Sequence, residues 1–116
     1  MDHRALVEAS AITESKHSVL DQVGGVCSPE FSMAKLLWLK NNDSERFESA
    51  SAFLELPDYL TWRCVTKGVS LDTFKPSNCS LTCKWGYNGE QKQWPTEFYN
   101  TIGLQPLLDN KGRIGG

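Results

Sequence analysis

In residues 77–85, SNCSLTCKW, apolar or thiol side chains alternate with polar ones from Cys79 onward. Because successive side chains of a β-strand point to opposite faces, the stretch predicts a half-buried strand with a polar outer face. The inner face would hold Cys79, Leu81, Cys83 and Trp85, and the outer face Ser80, Thr82 and Lys84.

Lys84 has two interpretations on such a strand. A solvated lysine on the outer face of an edge strand is common, and it hinders pairing with other strands. Alternatively, a lysine beside a tryptophan, with Ser80 and Thr82 on its own face, lines a pocket for a hydroxylated ligand. The alternation alone favours the solvated lysine.

Helical spacing dominates the rest of the chain, with glycine, proline or asparagine at most element ends. Residues 5–23 form the first predicted helix, with Glu8 and His17 on its polar side and Gly24-Gly25 as its end. The other predicted helices are at 33–42, at 43–50 with Asp43 or Ser44 as the cap, at 57–68 opened by Pro57, and at 95–102 ended by Gly103. A short strand at 51–56 and a turn at 87–94 with Asn88-Gly89 at its apex are also predicted.

The predicted fold class is α/β, helix-rich with few short strands. A length of 116 residues suits one compact domain. Two short strands make a poor sheet, however, since an isolated pair is only marginally stable in water. We therefore interpret the chain as part of a larger α/β domain whose other strands lie outside it.

The composition argues against several classes of partner. Twelve basic and fourteen acidic residues give a formal charge of −2, without the basic patch that nucleic-acid binding requires. The apolar stretches are too short to span a bilayer, and the opening MDHR lacks the apolar core of a secretory signal. We expect a cytoplasmic protein with neither nucleic acid nor membrane as partner.

The four cysteines predict free thiols rather than disulfides. On a strand, Cys79 and Cys83 would lie about 13 Å apart, which is beyond bridging range. No C-x-x-C or H-x-x-x-H spacing indicates a zinc site. We expect buried thiols in a reducing compartment.

Six stretches of the chain, taken in order, resemble one protein family. They are MDHRA, ESKHSVLDQVGG, AKLLWLK, LELPDYLTWRCVTKG, CSLTCKWGYN and FYNTIGL. They are similar to the N-terminal domain of FGGY-type carbohydrate kinases, nearest to the pentulose branch often called D-ribulokinase. The likeness runs from Asp2 to about Gly115. Several motifs at compatible spacing make it specific, whereas the Asp-His-Arg triplet alone is a weak signal.

The resemblance implies an actin-like (ribonuclease H-like) kinase of two domains. Residues 1–116 would be a fragment of its N-terminal, sugar-binding domain, and the other domain would hold ATP. Phosphoryl transfer in such a kinase depends on positioning, on Mg²⁺ and on a carboxylate that accepts the hydroxyl proton. The resemblance also implies that Asp2, His3 and Arg4 end a core strand near the sugar pocket, and that Lys84 approaches the sugar.

The Asp-His-Arg triplet has an alternative interpretation without a ligand. Asp2 would cap the helix that begins near Ala5, and Arg4 would pair with a nearby acid. The family's catalytic base lies on another segment, so no catalytic residue is assigned to this sequence.

Several parts of the family pattern do not occur in this sequence. They are the D-x-G-T-like phosphate loop, the aspartate base and the FGGY signature itself. Met1 coincides with the internal methionine of the family's W-M-D-H-R motif, so we expect a truncated isoform, a fragment or an incomplete gene prediction. ATP and Mg²⁺ are expected for the full-length enzyme, and neither is expected to bind this chain alone.

Two function hypotheses follow from the sequence. In the first, the chain is part of an ATP-dependent kinase that phosphorylates a pentulose such as D-ribulose, carries part of the sugar side only, and is inactive alone. In the second, it is a truncated, non-catalytic interaction module that binds a partner through surface left uncovered by the missing strands. The expected ligand is a small-molecule sugar, and the oligomeric state is left open.

Overall fold

A computed structural model of the chain describes residues 3–67, 71, 74–109 and 114. These residues form short helices joined by turns and loops. The α-helices are α1 (Leu6–Glu14), α2 (Ser32–Asn42), α3 (Ser44–Ser49), α4 (Leu56–Thr66), α5 (Asn78–Trp85), α6 (Thr96–Ile102) and α7 (Pro106–Asp109), and a 3₁₀-helix covers Ser18–Val23. None of these helices is long and apolar enough to cross a membrane.

Helix α2 lies at the centre of the fold and contacts α1, α3 and α5. Its buried side carries Met33, Ala34 and Leu37, positions that recur at the three- and four-residue spacing of one helix face. In its last turn, the Lys40 ammonium donates a hydrogen bond to the carbonyl of Gly103. The largest fully buried side chains around this centre are Tyr99, Phe47, Phe98, Ile12, Leu20, Met33, Leu104 and Leu107.

The single helix predicted over residues 5–23 is wrong, because the chain turns after Glu14. Lys16 takes a left-handed conformation with φ 51°, and a 3₁₀-helix then begins at Ser18. Thr13 accounts for part of this break, since its hydroxyl donates to the Ala9 carbonyl and accepts from the Cys27 amide, each at 2.9 Å. The later segment at Cys27 is thereby tied to the end of α1.

Two polar residues of this segment lie in different surroundings from those expected. Glu8, predicted on the solvated side, is buried. His17 is half-buried: its Nδ1 accepts from the Val19 amide at 3.1 Å, and its ring lies 5.2 Å from that of Phe98 between centroids. His17 therefore caps the 3₁₀-helix rather than standing free in solvent.

The strand predicted at residues 77–85 is also wrong, because this stretch forms helix α5. Leu81 and Trp85 are four residues apart, a spacing that puts both on one side of a strand and equally on one side of a helix. The backbone conformation and hydrogen bonding at the two ends of the stretch favour the helix. Ser77 at the N-cap is extended, its amide donates to Asp58 at 2.9 Å, and Gly86 ends the helix in the left-handed conformation with φ 72°.

The strand predicted at 51–56 is wrong as well. These residues form an irregular segment that leads into α4, where Pro57 stands in the first turn as expected. Within the described residues the only β pairing is an isolated bridge between Asn88 and Gln93. The helix-rich part of the prediction is confirmed, whereas the α/β assignment from two strands has no counterpart in these residues.

Several turn and cap predictions are confirmed. Asp43 caps α3 by accepting from the Arg46 amide, and Gly103 ends α6 with φ 85°. The turn at 87–94 forms around Asn88, whose side-chain oxygen accepts from the amides of Glu90 and Gln91 at 3.1 and 3.0 Å. These predictions succeeded because the hydrogen bonds involved are local in sequence.

All four cysteines are free, as predicted, but only Cys27 is buried. Burial raises the pKa of the Cys27 thiol from 9.0 to about 11, so this group stays protonated at neutral pH. Cys64, Cys79 and Cys83 are exposed, which contradicts the expectation of buried thiols. The prediction that Cys79 and Cys83 lie about 13 Å apart is also wrong, because residues four apart on a helix have Cβ atoms about 5–6 Å apart.

Tyr99 provides a test of how α5 is held to the core. Its side chain is 0% exposed, and its hydroxyl donates to the Trp85 carbonyl at 2.5 Å. That carbonyl lies in the last turn of α5, where carbonyls have no intrahelical donor. Tyr99→Phe leaves it unsatisfied, and we expect a loss of about 1–3 kcal/mol in the free energy of unfolding, measured by urea denaturation.

Tyr59→Phe is the matched control, because Tyr59 is 42% exposed and its hydroxyl can bond to water. We expect this variant to change the free energy of unfolding by about 0.5 kcal/mol or less. Equal losses in the two variants would show that the Tyr99 hydroxyl does not anchor α5.

Candidate functional site

Lys84, the lysine singled out in the sequence, lies in the last turn of α5 and is half-buried. Its ammonium stands over the ring of Phe31, with Nζ 5.5 Å from the ring centroid. Phe31 is the N-cap residue of α2. A cation over an aromatic face is held by the ring quadrupole, so the charge of Lys84 is directed to the start of α2.

Glu55 is the acidic partner of this region, and the sequence analysis missed it. It occupies the N-cap position of α4 and is half-buried. Burial raises the pKa of the Glu55 carboxyl, Lys84 and Lys35 act in the opposite direction, and Asp58 adds to the rise. The carboxyl of Glu55 therefore lies within electrostatic reach of two lysines that come from two other helices.

A cavity of about 150 Å³ lies beside these charges, and we call it the Glu55 cavity. Its polar groups are Ser32, Lys35 and Glu55, and its apolar walls include Phe53 and Trp85. A few convergent donors and acceptors against apolar walls are typical of sites for small hydroxylated molecules. The carboxylate accepts hydrogen bonds from hydroxyls, and the lysine and serine groups donate to oxygens.

Arg4 lies at a second, adjoining cavity of about 190 Å³. Its guanidinium carbon is 5.1 Å from the centroid of the Trp38 ring. Lys35 and Leu36 line this cavity and also the Glu55 cavity. The structure therefore brings Arg4 and Lys84 to the same side of α2, with Lys35 between them, although the two predicted residues are far apart in sequence.

The other residues of the Asp-His-Arg triplet contribute less to this arrangement. His3 is exposed and does not line the cavity beside Arg4. Asp2 lies outside the described residues, so its predicted roles at the sugar pocket and at the helix start remain predictions. The N-cap position of α1 belongs to Ala5.

Ser80 and Thr82 were predicted to share a strand face with Lys84, but in helix α5 the two residues lie on different sides. Ser80 lies one turn before Lys84 on the same side of α5, whereas Thr82 is two residues away and points elsewhere. The polar neighbours of Lys84 therefore come from α2 and the start of α4. No local pattern indicated Glu55, because its approach to Lys84 depends on contacts between the start of α4 and the start of α5, such as the hydrogen bond from the Ser77 amide to Asp58.

A larger groove of about 300 Å³ lies elsewhere, between the 3₁₀-helix and the start of α6. Amide side chains such as Gln22, Asn88 and Gln93 line it together with Trp94. It contains none of the predicted site residues and no lysine or arginine, so we place the candidate site at the Glu55 cavity despite its smaller volume. Among the described residues, no group of three or more His, Cys, Asp or Glu side chains is placed to hold a metal ion.

Comparisons with known proteins relate the chain to one family. The sequence model for the N-terminal domain of the FGGY family of carbohydrate kinases matches residues 1–106. The chain is 44% identical over 117 residues to a human FGGY carbohydrate kinase domain-containing protein, and the alignment covers 99% of the chain and 20% of that relative. It is 42% identical over 117 residues to a protein of the same description from Danio rerio, with the same coverage.

A relative with a more specific name supports the same assignment. The chain is 38% identical over 122 residues to a D-ribulokinase of Saccharomyces cerevisiae, covering 100% of the chain and 16% of that protein. The chain thus spans about a fifth or less of the length of these relatives. The family match covers nearly the whole sequence and confirms the resemblance: the chain belongs to the FGGY family of carbohydrate kinases, within its N-terminal domain.

Proposed function

We propose that this chain forms part of the sugar side of an ATP-dependent kinase that phosphorylates a pentulose such as D-ribulose. The observation that carries the proposal is the convergence of Lys35 and Glu55 at a small cavity with aromatic walls, with the Lys84 ammonium within electrostatic reach of Glu55. The name of the yeast relative supports the pentulose as substrate. Under this proposal, the triplet Asp2, His3 and Arg4 stands near the sugar, with Arg4 at the adjoining cavity.

In this proposal the chain binds and orients sugar and does not carry out the transfer. Glu55 accepts hydrogen bonds from sugar hydroxyls, and Lys84 and Lys35 donate to a hydroxyl or carbonyl oxygen. Trp85 and Phe53 exclude water from one side of the sugar, which strengthens these hydrogen bonds. Holding a hydroxyl in one orientation is the contribution that phosphoryl transfer requires of a sugar-binding domain.

Nucleotide and metal belong to the rest of the kinase in this proposal. ATP supplies the phosphoryl group, and Mg²⁺ neutralises its charge. The described residues contain no cluster of carboxylate, histidine or cysteine ligands that fits a metal ion, so no role toward Mg²⁺ is assigned to them. The same proposal includes an actin-like, two-domain architecture in which residues 1–116 belong to the sugar-binding domain. It also includes a cytoplasmic location, which suits the free thiols.

The exposed side of α4 favours the second function, that of a non-catalytic interaction module. Leu56, Tyr59 and Leu60 share one side of this helix and are 67%, 42% and 53% exposed. The human relative is about five times as long as the segment that this chain matches. The occupant we propose is therefore a second kinase half that supplies the remaining length and covers this apolar surface.

The role of Lys84 is tested by Lys84→Gln, which removes the charge and keeps a polar, unbranched side chain that is slightly shorter. A charge-assisted hydrogen bond contributes about 1.5–3 kcal/mol, so we expect the dissociation constant for D-ribulose to rise about tenfold or more. Isothermal titration calorimetry on the chain measures it, and in an intact kinase the Michaelis constant for the sugar should rise correspondingly.

Lys16→Gln is the matched control for this experiment, since Lys16 is exposed and, unlike Lys84, is not among the charges that act on Glu55. We expect this variant to bind D-ribulose as the unmodified chain does. If Lys84→Gln leaves the sugar affinity unchanged, Lys84 does not contact the sugar.

Glu55 predicts a pH dependence of sugar binding. Its ionised carboxylate accepts stronger hydrogen bonds, at more positions, than the protonated acid does, and burial raises its pKa above the ordinary value of 4.5. Affinity for D-ribulose should therefore be full near neutral pH and fall as the pH drops through this raised pKa, before it reaches 4.5. Titration calorimetry across this range measures the midpoint.

Glu55→Gln should bind the sugar more weakly at neutral pH and lose most of this pH dependence. Glu45→Gln is the control, because Glu45 is exposed on α3 and away from the cavity. A pH profile that is the same in Glu55→Gln and in the unmodified chain would remove Glu55 from the sugar site.

The interaction module is tested through the apolar side of α4. Leu60→Glu places a charge there, so the chain should bind less of a fluorescent apolar dye such as anilinonaphthalene sulfonate. Because Leu60 is exposed, the free energy of unfolding should change by about 0.5 kcal/mol or less. Thr61→Glu on the neighbouring side is the control, and equal dye binding in all three proteins would contradict an accessible docking surface on α4.

A further inference from the structure

Helix α5 carries a pair of thiols that the proposed sugar site does not use. Cys79 and Cys83 are four residues apart, so they lie on the same side of the helix. Both are exposed and free, and their thiols are close enough to hydrogen-bond to each other. They therefore form an accessible pair with two converging sulfur atoms.

A disulfide does not fit this pair while the helix is intact. Helix neighbours at this spacing have Cβ atoms about 5–6 Å apart, whereas a disulfide requires about 3.5–4.5 Å. A bridge with one additional atom between the sulfurs spans the larger separation. The geometry thus favours a ligand that inserts a single soft atom over direct oxidation of the pair.

The kind of soft atom follows from the number of sulfur ligands. Structural zinc takes four protein ligands, and the described residues provide no cluster of three or more His, Cys, Asp or Glu side chains. A trivalent arsenic centre with one organic substituent needs only two thiols to complete its three bonds. Soft thiolate ligands are also the class that such thiophilic centres prefer.

We propose that Cys79 and Cys83 form a bidentate site for monosubstituted trivalent arsenicals. In the reaction the two As–OH bonds of the hydrated arsenical break and two As–S bonds form. Each thiol proton leaves with a hydroxide as water, so two waters are released and arsenic stays trivalent. The site is independent of the sugar-kinase proposal, because it rests on the spacing and exposure of the two thiols alone.

The state of the thiols agrees with this chemistry. The pKa of Cys83 is raised by desolvation and by the neighbouring Cys79 thiol, while Lys84 opposes the rise. The Cys83 thiol is therefore protonated at neutral pH and available for condensation with an arsenical hydroxyl. Cys27 offers no competing site, because it is buried.

The experiment uses hydrated phenylarsine oxide at equimolar ratio with the reduced chain, followed by intact-mass spectrometry. We expect one adduct per chain that survives excess glutathione, a monothiol, and is removed by dithiothreitol, a dithiol. Survival of the monothiol challenge requires two sulfurs on one arsenic, because dissociation of both bonds is then needed for release. The helical circular dichroism signal should be unchanged by the adduct.

Four variants locate the site. Cys79→Ser and Cys83→Ser should each lower the glutathione-resistant adduct at least about tenfold, whereas Cys64→Ser should keep it, since Cys64 lies on α4. The double variant Cys83→Ser with Ser80→Cys keeps the number of thiols but places two of them at adjacent positions, which do not face each other on a helix. It should also lose the resistant adduct.

Three outcomes would overturn the proposal. They are a resistant adduct that persists in Cys79→Ser or Cys83→Ser, an adduct in the unmodified chain that glutathione removes completely, and an adduct that forms only with loss of the helical signal.

Discussion

The packing of α2 is the constraint on which the rest of the structure depends. Its buried side chains contact α1, α3 and α5, so three other helices take their positions from it. The opposite side carries Phe31 at the N-cap and Trp38 two turns later, with Lys35 between them. Lys84 stands over the first ring and Arg4 over the second. One helix therefore buries the core and also arranges the cations of the candidate site.

The change of residues 77–85 from an expected strand to a helix alters the chemistry of the site. On a strand, Lys84 would share its face with Ser80 and Thr82, and the two cysteines would be far apart. On the helix, Lys84 turns toward Phe31 and the carboxyl of Glu55, and Cys79 and Cys83 converge. The same nine residues thus present different partners because the side-chain period changes from two to 3.6.

The family match covers nearly all of this chain, but the chain covers only a small part of the length of its relatives. The family match covers residues 1–106, whereas the chain corresponds to about a fifth of the human relative. The exposed apolar side of α4 is consistent with a surface that further polypeptide covers. The proposal that the chain is part of a larger domain is therefore supported by the relatives' length and by the exposed side of α4, and not by an incomplete pair of strands.

The sequence by itself determined the helix-rich character, the Asp43 cap, the turn at Asn88 and the glycine end at Gly103, because each depends on neighbours a few residues away. It also determined the family, through motifs spread along the chain. Only the tertiary structure decided between helix and strand at 77–85, since Leu81 and Trp85 satisfy both periods. The hydrogen bonds at the two ends of this stretch come from distant segments, with Asp58 accepting from the Ser77 amide and the Tyr99 hydroxyl donating to the Trp85 carbonyl. The approach of Glu55 to Lys84 was likewise decided there, because contacts between distant segments leave no local pattern.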